Sequence, residues 1–69
     1  EPSPNAELVH AALGALSVDH RRVLTLRFLE DMSIEDIAAV LSCSHGTIKS
    51  RLHYAKAALR RRIEELSHD

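Results

Sequence analysis

Aromatic residues are nearly missing from this 69-residue chain, which has one Phe, one Tyr and no Trp. With so few strand-forming side chains and a wealth of Ala, Leu, Arg and Glu, an all-helical domain is expected. Cysteine is just as scarce. Cys43 stands alone, so no internal disulfide can form and no Cys-x-x-Cys framework exists for structural zinc. No uncharged run approaches the ~20 residues that a bilayer crossing needs. No signal-peptide pattern opens the chain either, and a cytoplasmic protein without membrane contact is expected. The chain opens on Glu1 rather than Met and is expected to be a piece excised from something longer.

Length leaves room for one core, since domains commonly hold about 100–150 residues. A chain this short buries only about 60% of the surface it exposes when unfolded, so its stability should be marginal. The composition, 45% hydrophobic and 28% charged, is too apolar for intrinsic disorder. Nine Lys and Arg against ten Asp and Glu give a formal net charge of −1, which on its own speaks mildly against a nucleic-acid binder. The distribution speaks the other way. From Lys49 to Arg62 there are basic residues and no acidic one, and such asymmetry is a nucleic-acid signal, though a weak one.

Caps and periodicity mark four helical stretches. Ser3 and Pro4 suit the cap and first position of one helix, in which Val9, Ala12, Leu13 and Leu16 recur at helical spacing. Ser17 caps a second, carrying Val23, Leu24, Leu26, Phe28 and Leu29 and fraying near Asp31. Ser33 to Asp36 resembles a capping box and opens a short third helix, 34–41. Residues 42–44 make a turn, and Ser44 caps a long fourth helix from 45 to about Leu66. A short helix, a tight turn and a long helix form a helix-turn-helix unit. Ala38 and Ala39 keep one side of the first helix small, and Ile37, Val40 and Leu41 should answer Ile48 and Leu52 on the second. The fold expected is therefore an all-α bundle of about four helices, forming a single domain over 1–69.

On a wheel of about 100° per residue, Leu52, Ala55, Leu59, Ile63 and Leu66 fall within roughly 60° of Ile48. The other side of the fourth helix carries Gly46, Lys49, Ser50 and His53, with Thr47 and Tyr54 at its edge. These side chains are short, polar or cationic, with no carboxylate among them. Most polar helix faces are simply solvated, but one of this kind is also what the DNA major groove admits.

The same residues carry a family likeness. Leu29 to Leu41, followed by the run Ser44-His45-Gly46-Thr47-Ile48-Lys49-Ser50-Arg51-Leu52, resembles the C-terminal promoter-binding domain, region 4, of bacterial sigma factors. Gly-Thr-Ile-Lys-Ser-Arg-Leu is similar to the recognition-helix signature of the extracytoplasmic-function group. The resemblance implies docking of the promoter −35 element in the major groove, as part of a factor that directs RNA polymerase to initiate transcription. It also implies contact with the flap of the polymerase β subunit and with an anti-sigma factor. Carried over residue by residue, Lys49, Ser50, His53 and Tyr54 would face base edges. Arg22, Ser33, Ser44, Thr47, Arg51 and Lys56 would face the DNA backbone, although Arg51 could equally pair with an acid of the third helix. The chain departs from the family at Ser17, where Pro is usual, and at Asp31 and Ser42, where Gly is frequent and a left-handed residue would cost about 1 kcal/mol more than Gly. It also reads Tyr54-Ala55-Lys56 in place of Arg-Ala-Arg.

Two other functions fit much of the pattern: a response-regulator-type helix-turn-helix output domain, and a sigma-like interaction module that binds a regulator without reading DNA. Gly46 and Arg51-Leu52 favour the sigma reading over the first, and the cationic face favours it over the second. Enzymatic activity, a cofactor, a metal and a small-molecule substrate are not expected. Ser50 and His53 are one turn apart but lack an orienting third residue on a convex helix face. His45 and His53, about 12 Å apart, are too distant to share a metal. His10, His20 and His68 read as surface residues, Cys43 as a semi-buried filler, and Arg60 to Arg62 with Glu64 and Glu65 as a solvated helix end. Finally, the apolar residues of the second helix do not fit one face, and Leu8, Ala11 and Ala15 form a shoulder on the first. Leu8, Ala11, Ala15 and Phe28 are accordingly the candidates for a partner-binding patch.

Overall fold

Residues 4–67 are described by a computed structural model. It runs α1 (Pro4–Gly14), α2 (Val18–Leu24), α3 (Ile34–Leu41) and α4 (His45–Ser67). Ser3, the expected cap of α1, and His68 lie outside the described residues. The other expected caps are formed. The Ser17 hydroxyl accepts from the His20 N–H at 3.3 Å and that of Ser33 from the Asp36 N–H at 3.0 Å. The Ser44 hydroxyl accepts from the Thr47 N–H at 3.1 Å. Each satisfies a first-turn donor that the helix itself cannot.

Both expected left-handed positions are found: Asp31 at φ 57° and Ser42 at φ 55°. Ser42 ends α3 in a Schellman arrangement, with the Cys43 N–H donating to the Ala38 carbonyl at 2.9 Å and the Ser42 N–H to that of Ala39 at 3.4 Å. The resulting turn, residues 42–44, joins α3 directly to α4.

The second helix differs from the expectation. It does not continue as an α-helix to Asp31; beyond Leu24 it widens into a π-helical turn, Thr25–Leu29. The Glu30 N–H donates to the Thr25 carbonyl at 3.0 Å and the Met32 N–H to that of Leu26 at 3.0 Å. The wider turn accommodates an extra residue and shifts the phase of the side chains after it. Leu24 stays buried and Leu26 packs against the core, while Phe28 and Leu29 are 56% and 69% exposed.

The core lies where α2, α3 and the first half of α4 meet. Val23, Ile37, Ile48 and Ala55 are fully buried, closed in by Leu16, Leu24, Ala38 and Leu52. Two expected contacts of α3 are corrected. Val40 is 61% exposed, and Ala39 faces solvent. The buried stripe of this eight-residue helix is Ile34, Ile37, Ala38 and Leu41, and Val40 lies about 110° from its middle. The stripe of α4 also ends early, because Leu59 and Ile63 are half-buried and Leu66 is half exposed. At 1.5 Å per residue α4 is about 34 Å long and α1 about 16 Å, so α4 outruns its cover. No helix among the described residues is long and apolar enough to cross a membrane.

Candidate nucleic-acid interface

The N-terminal half of α4 is held rigidly from beneath and open above. Ile48, Leu52 and Ala55 fix its inner side, while Lys49, Ser50, His53 and Tyr54 are exposed along the outer side. The rings of His53 and Tyr54 meet edge to face, 5.2 Å between centroids and 79° between planes. Ser44 does more than cap the helix, since its hydroxyl also donates to Thr47 Oγ1 at 2.9 Å. Both hydroxyls are thereby engaged with each other. What this end offers a phosphate is the first-turn N–H groups of His45 and Gly46, since that of Thr47 is held by the Ser44 hydroxyl.

Gly46 is informative for what does not surround it. A Cβ added there would meet nothing nearer than Ser44 Oγ, at 4.0 Å, and the residue has no positive φ. Neither packing nor backbone geometry inside the domain calls for glycine. A close approach from outside is the remaining physical reason for leaving that space open.

Two shallow hollows flank this face. Ser44, Gly46, Thr47, Ser50, Arg51 and Tyr54 line one together with His20 of α2. Lys49, Leu52, His53 and Lys56 line the other together with Arg27, Phe28 and Ile34. No carboxylate lines either. The structure thus gathers most of the residues proposed for DNA around one surface, with Ser33 next to Ile34 at its margin. Arg22 is not gathered there; it sits with Val18, Arg21, Thr25 and Leu26 in a separate depression. Arg51 is half-buried and pairs with no acid of α3 among the described residues. Two residues of this surface escape a reading of the sequence alone: His20, which there looks like ordinary surface, and Arg27, which nothing singles out. Arg27 donates to the Met32 carbonyl at 3.0 Å, tying down the loop after the π turn, and lines the same hollow as Lys49.

A second surface lies on the far side of Lys56. An apolar groove of about 420 Å³ runs between α1, the π turn and the second half of α4, lined by Val9, Leu13, Leu24, Phe28, Leu29, Leu59 and Ile63. Its charged rim is Lys56 and Arg60. Of the candidate partner residues, Phe28 belongs to this groove, whereas Leu8, Ala11 and Ala15 do not line it. Leu8 is half-buried and the two alanines are exposed. Elsewhere Cys43 is half-buried and its thiol donates to the Leu41 carbonyl at 3.4 Å, and the ion pair of the α4 end joins Arg62 to Glu65 at 3.0 Å. Among the described residues, no three His, Cys, Asp or Glu side chains gather as a metal site.

Comparison with known proteins agrees with this geometry. The family model described as sigma-70, region 4, matches residues 6–59. The chain is 44% identical over 59 residues to the ECF RNA polymerase sigma factor SigL of Mycobacterium tuberculosis, covering 86% of this chain and 33% of that protein. It is 41% identical over 58 residues to the RNA polymerase sigma-H factor of Pseudomonas aeruginosa, covering 84% and 30%. With the ECF RNA polymerase sigma-E factor of Escherichia coli it shares 35% over 60 residues, covering 87% and 31%. The chain therefore spans about a third of the length of the curated relatives it matches.

Proposed function

The chain belongs to the sigma-70 region 4 family, and we propose that it reads the −35 element of promoters as part of a sigma factor directing RNA polymerase to transcription initiation. The observation that carries this reading is the outer face of α4: Gly46, Lys49, Ser50, His53 and Tyr54 exposed over a closed core, without a carboxylate in either flanking hollow. The N-terminal half of α4 enters the major groove. Lys49 donates to guanine O6 or N7, Ser50 donates or accepts, and His53 and Tyr54 bond or pack against a thymine methyl. Thr47 and Ser44 bring the first-turn N–H groups to a phosphate. Lys56, Arg51 and, at the margins, Ser33 and Arg22 address the backbone, Arg22 from its separate depression.

The groove beside Phe28 and Leu29 is proposed as the surface where the polymerase β flap or an anti-sigma factor docks, one apolar helix face against another. The chain acts without catalysis, and it works inside the cell, where polymerase and promoter are. With only one long cation after His53 on the DNA-facing turn, the isolated domain should bind DNA in the range of about 10⁻⁴–10⁻⁶ M at physiological salt. Held beside other promoter-binding domains, it would gain through effective concentration.

Selection from a random DNA pool, followed by affinities for Lys49→Ala and Lys56→Ala, tests the reading. Lys49→Ala should cost about 1–3 kcal/mol and relax preference at one or two base pairs. Lys56→Ala should weaken all sequences alike and lower the salt slope by about one contact. A pool without sequence preference, or identical losses for both variants across it, would contradict the proposal.

A further inference from the structure

Phe28 and Lys56 stand where the apolar groove meets the cationic face, lining both the groove and the hollow shared with Lys49 and His53. The Lys56 ammonium lies 5.3 Å from the centroid of the Phe28 ring, within reach of the ring's negative face. Lys49, His53, Lys56 and Arg60 recur at i, i+4, i+7 and i+11 along α4, within about 60° of one another on the helix wheel. Lys49, Lys56 and Arg60, with the His53 imidazole among them, make one stripe that begins on the DNA-facing half and ends on the rim of the groove. A lysine offers a single ammonium on a flexible stem. The Lys56 ammonium can lie over Phe28, reach a phosphate or meet an anion in the groove, but it cannot fully serve two anions at once.

We propose that Lys56 is shared between the two surfaces, so that DNA competes with a groove occupant bearing an anionic group at the Lys56 end and tolerates one that lacks it. The inference rests on the reading of α4 as the DNA face. The competing occupant is an amphipathic helix with a carboxylate beside its apolar anchors. Charge complementarity argues for it, because the charged rim of the groove is Lys56 and Arg60 and no acid lines the groove. An occupant that is apolar at that end leaves Lys56 to the DNA backbone. The groove thereby sorts partners into those that oppose promoter binding and those that coexist with it. Because linkage is reciprocal, DNA weakens the anionic occupant by the same factor as the occupant weakens DNA.

Two dyes of matched shape test this. 8-Anilinonaphthalene-1-sulfonate carries an anion, and N-phenyl-1-naphthylamine does not. Their binding to the 69-residue chain would be followed by fluorescence, without DNA and with a saturating duplex taken from the selected pool. The duplex should weaken the sulfonate about fivefold, a typical size for coupling between sites, and the neutral dye less than about twofold. Lys56→Met should abolish the difference between the dyes while Arg60→Met keeps it. Leu29→Asp should lower uptake of both dyes, placing them in the groove. Sulfonate binding unchanged by DNA, equal weakening of both dyes, the same weakening in Lys56→Met, or uptake indifferent to Leu29→Asp would each overturn the proposal. If the chain takes up no duplex at all, the DNA titration that precedes the dyes shows that the DNA-face reading has failed first, and the sharing falls with it.

Discussion

The two halves of α4 carry one apolar period and meet different fates. Ile48, Leu52 and Ala55 are buried under α2 and α3, while Leu59 and Ile63 are only half covered and Leu66 is half exposed. On the outer side, polar DNA-reading candidates occupy the first half, while the second carries three consecutive arginines that fan around the helix. The difference comes from neighbours rather than from pattern. Helices α2 and α3 close over the first half, whereas the second is flanked by α1, the start of α2 and the π turn without being sealed, and the π turn leaves Phe28 and Leu29 at its edge instead of over it. A rigid half suits reading a groove whose contacts need fixed geometry. An under-covered half suits docking, where a partner supplies the missing apolar surface.

The largest expected effect is on the closed half. Ile48→Ala should cost about 2–5 kcal/mol, whereas Ile63→Ala should cost about 1 kcal/mol. A domain of this size has only about 3–10 kcal/mol in hand, so in urea melts the first variant should be largely unfolded and the second folded. Equal losses would erase the contrast between the halves. Next in size is the docking surface. Phe28→Ala should weaken binding to polymerase core or an anti-sigma factor by about 2 kcal/mol or more, as a buried aromatic anchor does, and leave the melting curve nearly unchanged. Normal partner binding by that variant would place the partner elsewhere. The smallest effect has opposite signs in two measurements. Gly46→Ala should leave stability unchanged or raise it by up to about 1 kcal/mol, since the added Cβ has room and the helix gains propensity. The same variant should bind DNA more weakly. A parallel change in both would make Gly46 a packing residue after all.

Much of the rigid half is legible in the sequence. Ser17, Ser33 and Ser44 announce helix starts by their cap chemistry. The run from Gly46 to Leu52 carries the family likeness that the family model bears out. Asp31 and Ser42 can be read as left-handed because they stand where glycine is usual. The docking half is less legible. No residue type marks a π turn, and in the folded chain it leaves Leu24 and Leu26 against the core and Phe28 outside it. Its only trace in the sequence is an apolar set that fits no single helix face. Arg27 escapes notice because it comes into one hollow with Lys49 only in the folded chain. His20 is hidden because α2 and α4 come together only in the folded chain, and Val40 is overcounted when hydrophobicity is read without the phase of α3.

The central claim is that DNA is read by the first half of α4 and not merely attracted to the basic C-terminal third of the chain. Amide NMR of the 69-residue chain, titrated with a duplex from the selected pool, addresses it directly. Shifts should concentrate in 44–56 and at His20 and Arg27, with Arg60 to Arg62 and the residues of α1 little changed. Shifts centred on Arg60 to Arg62, or spread evenly along the basic stretch, would show general electrostatic attraction and contradict it.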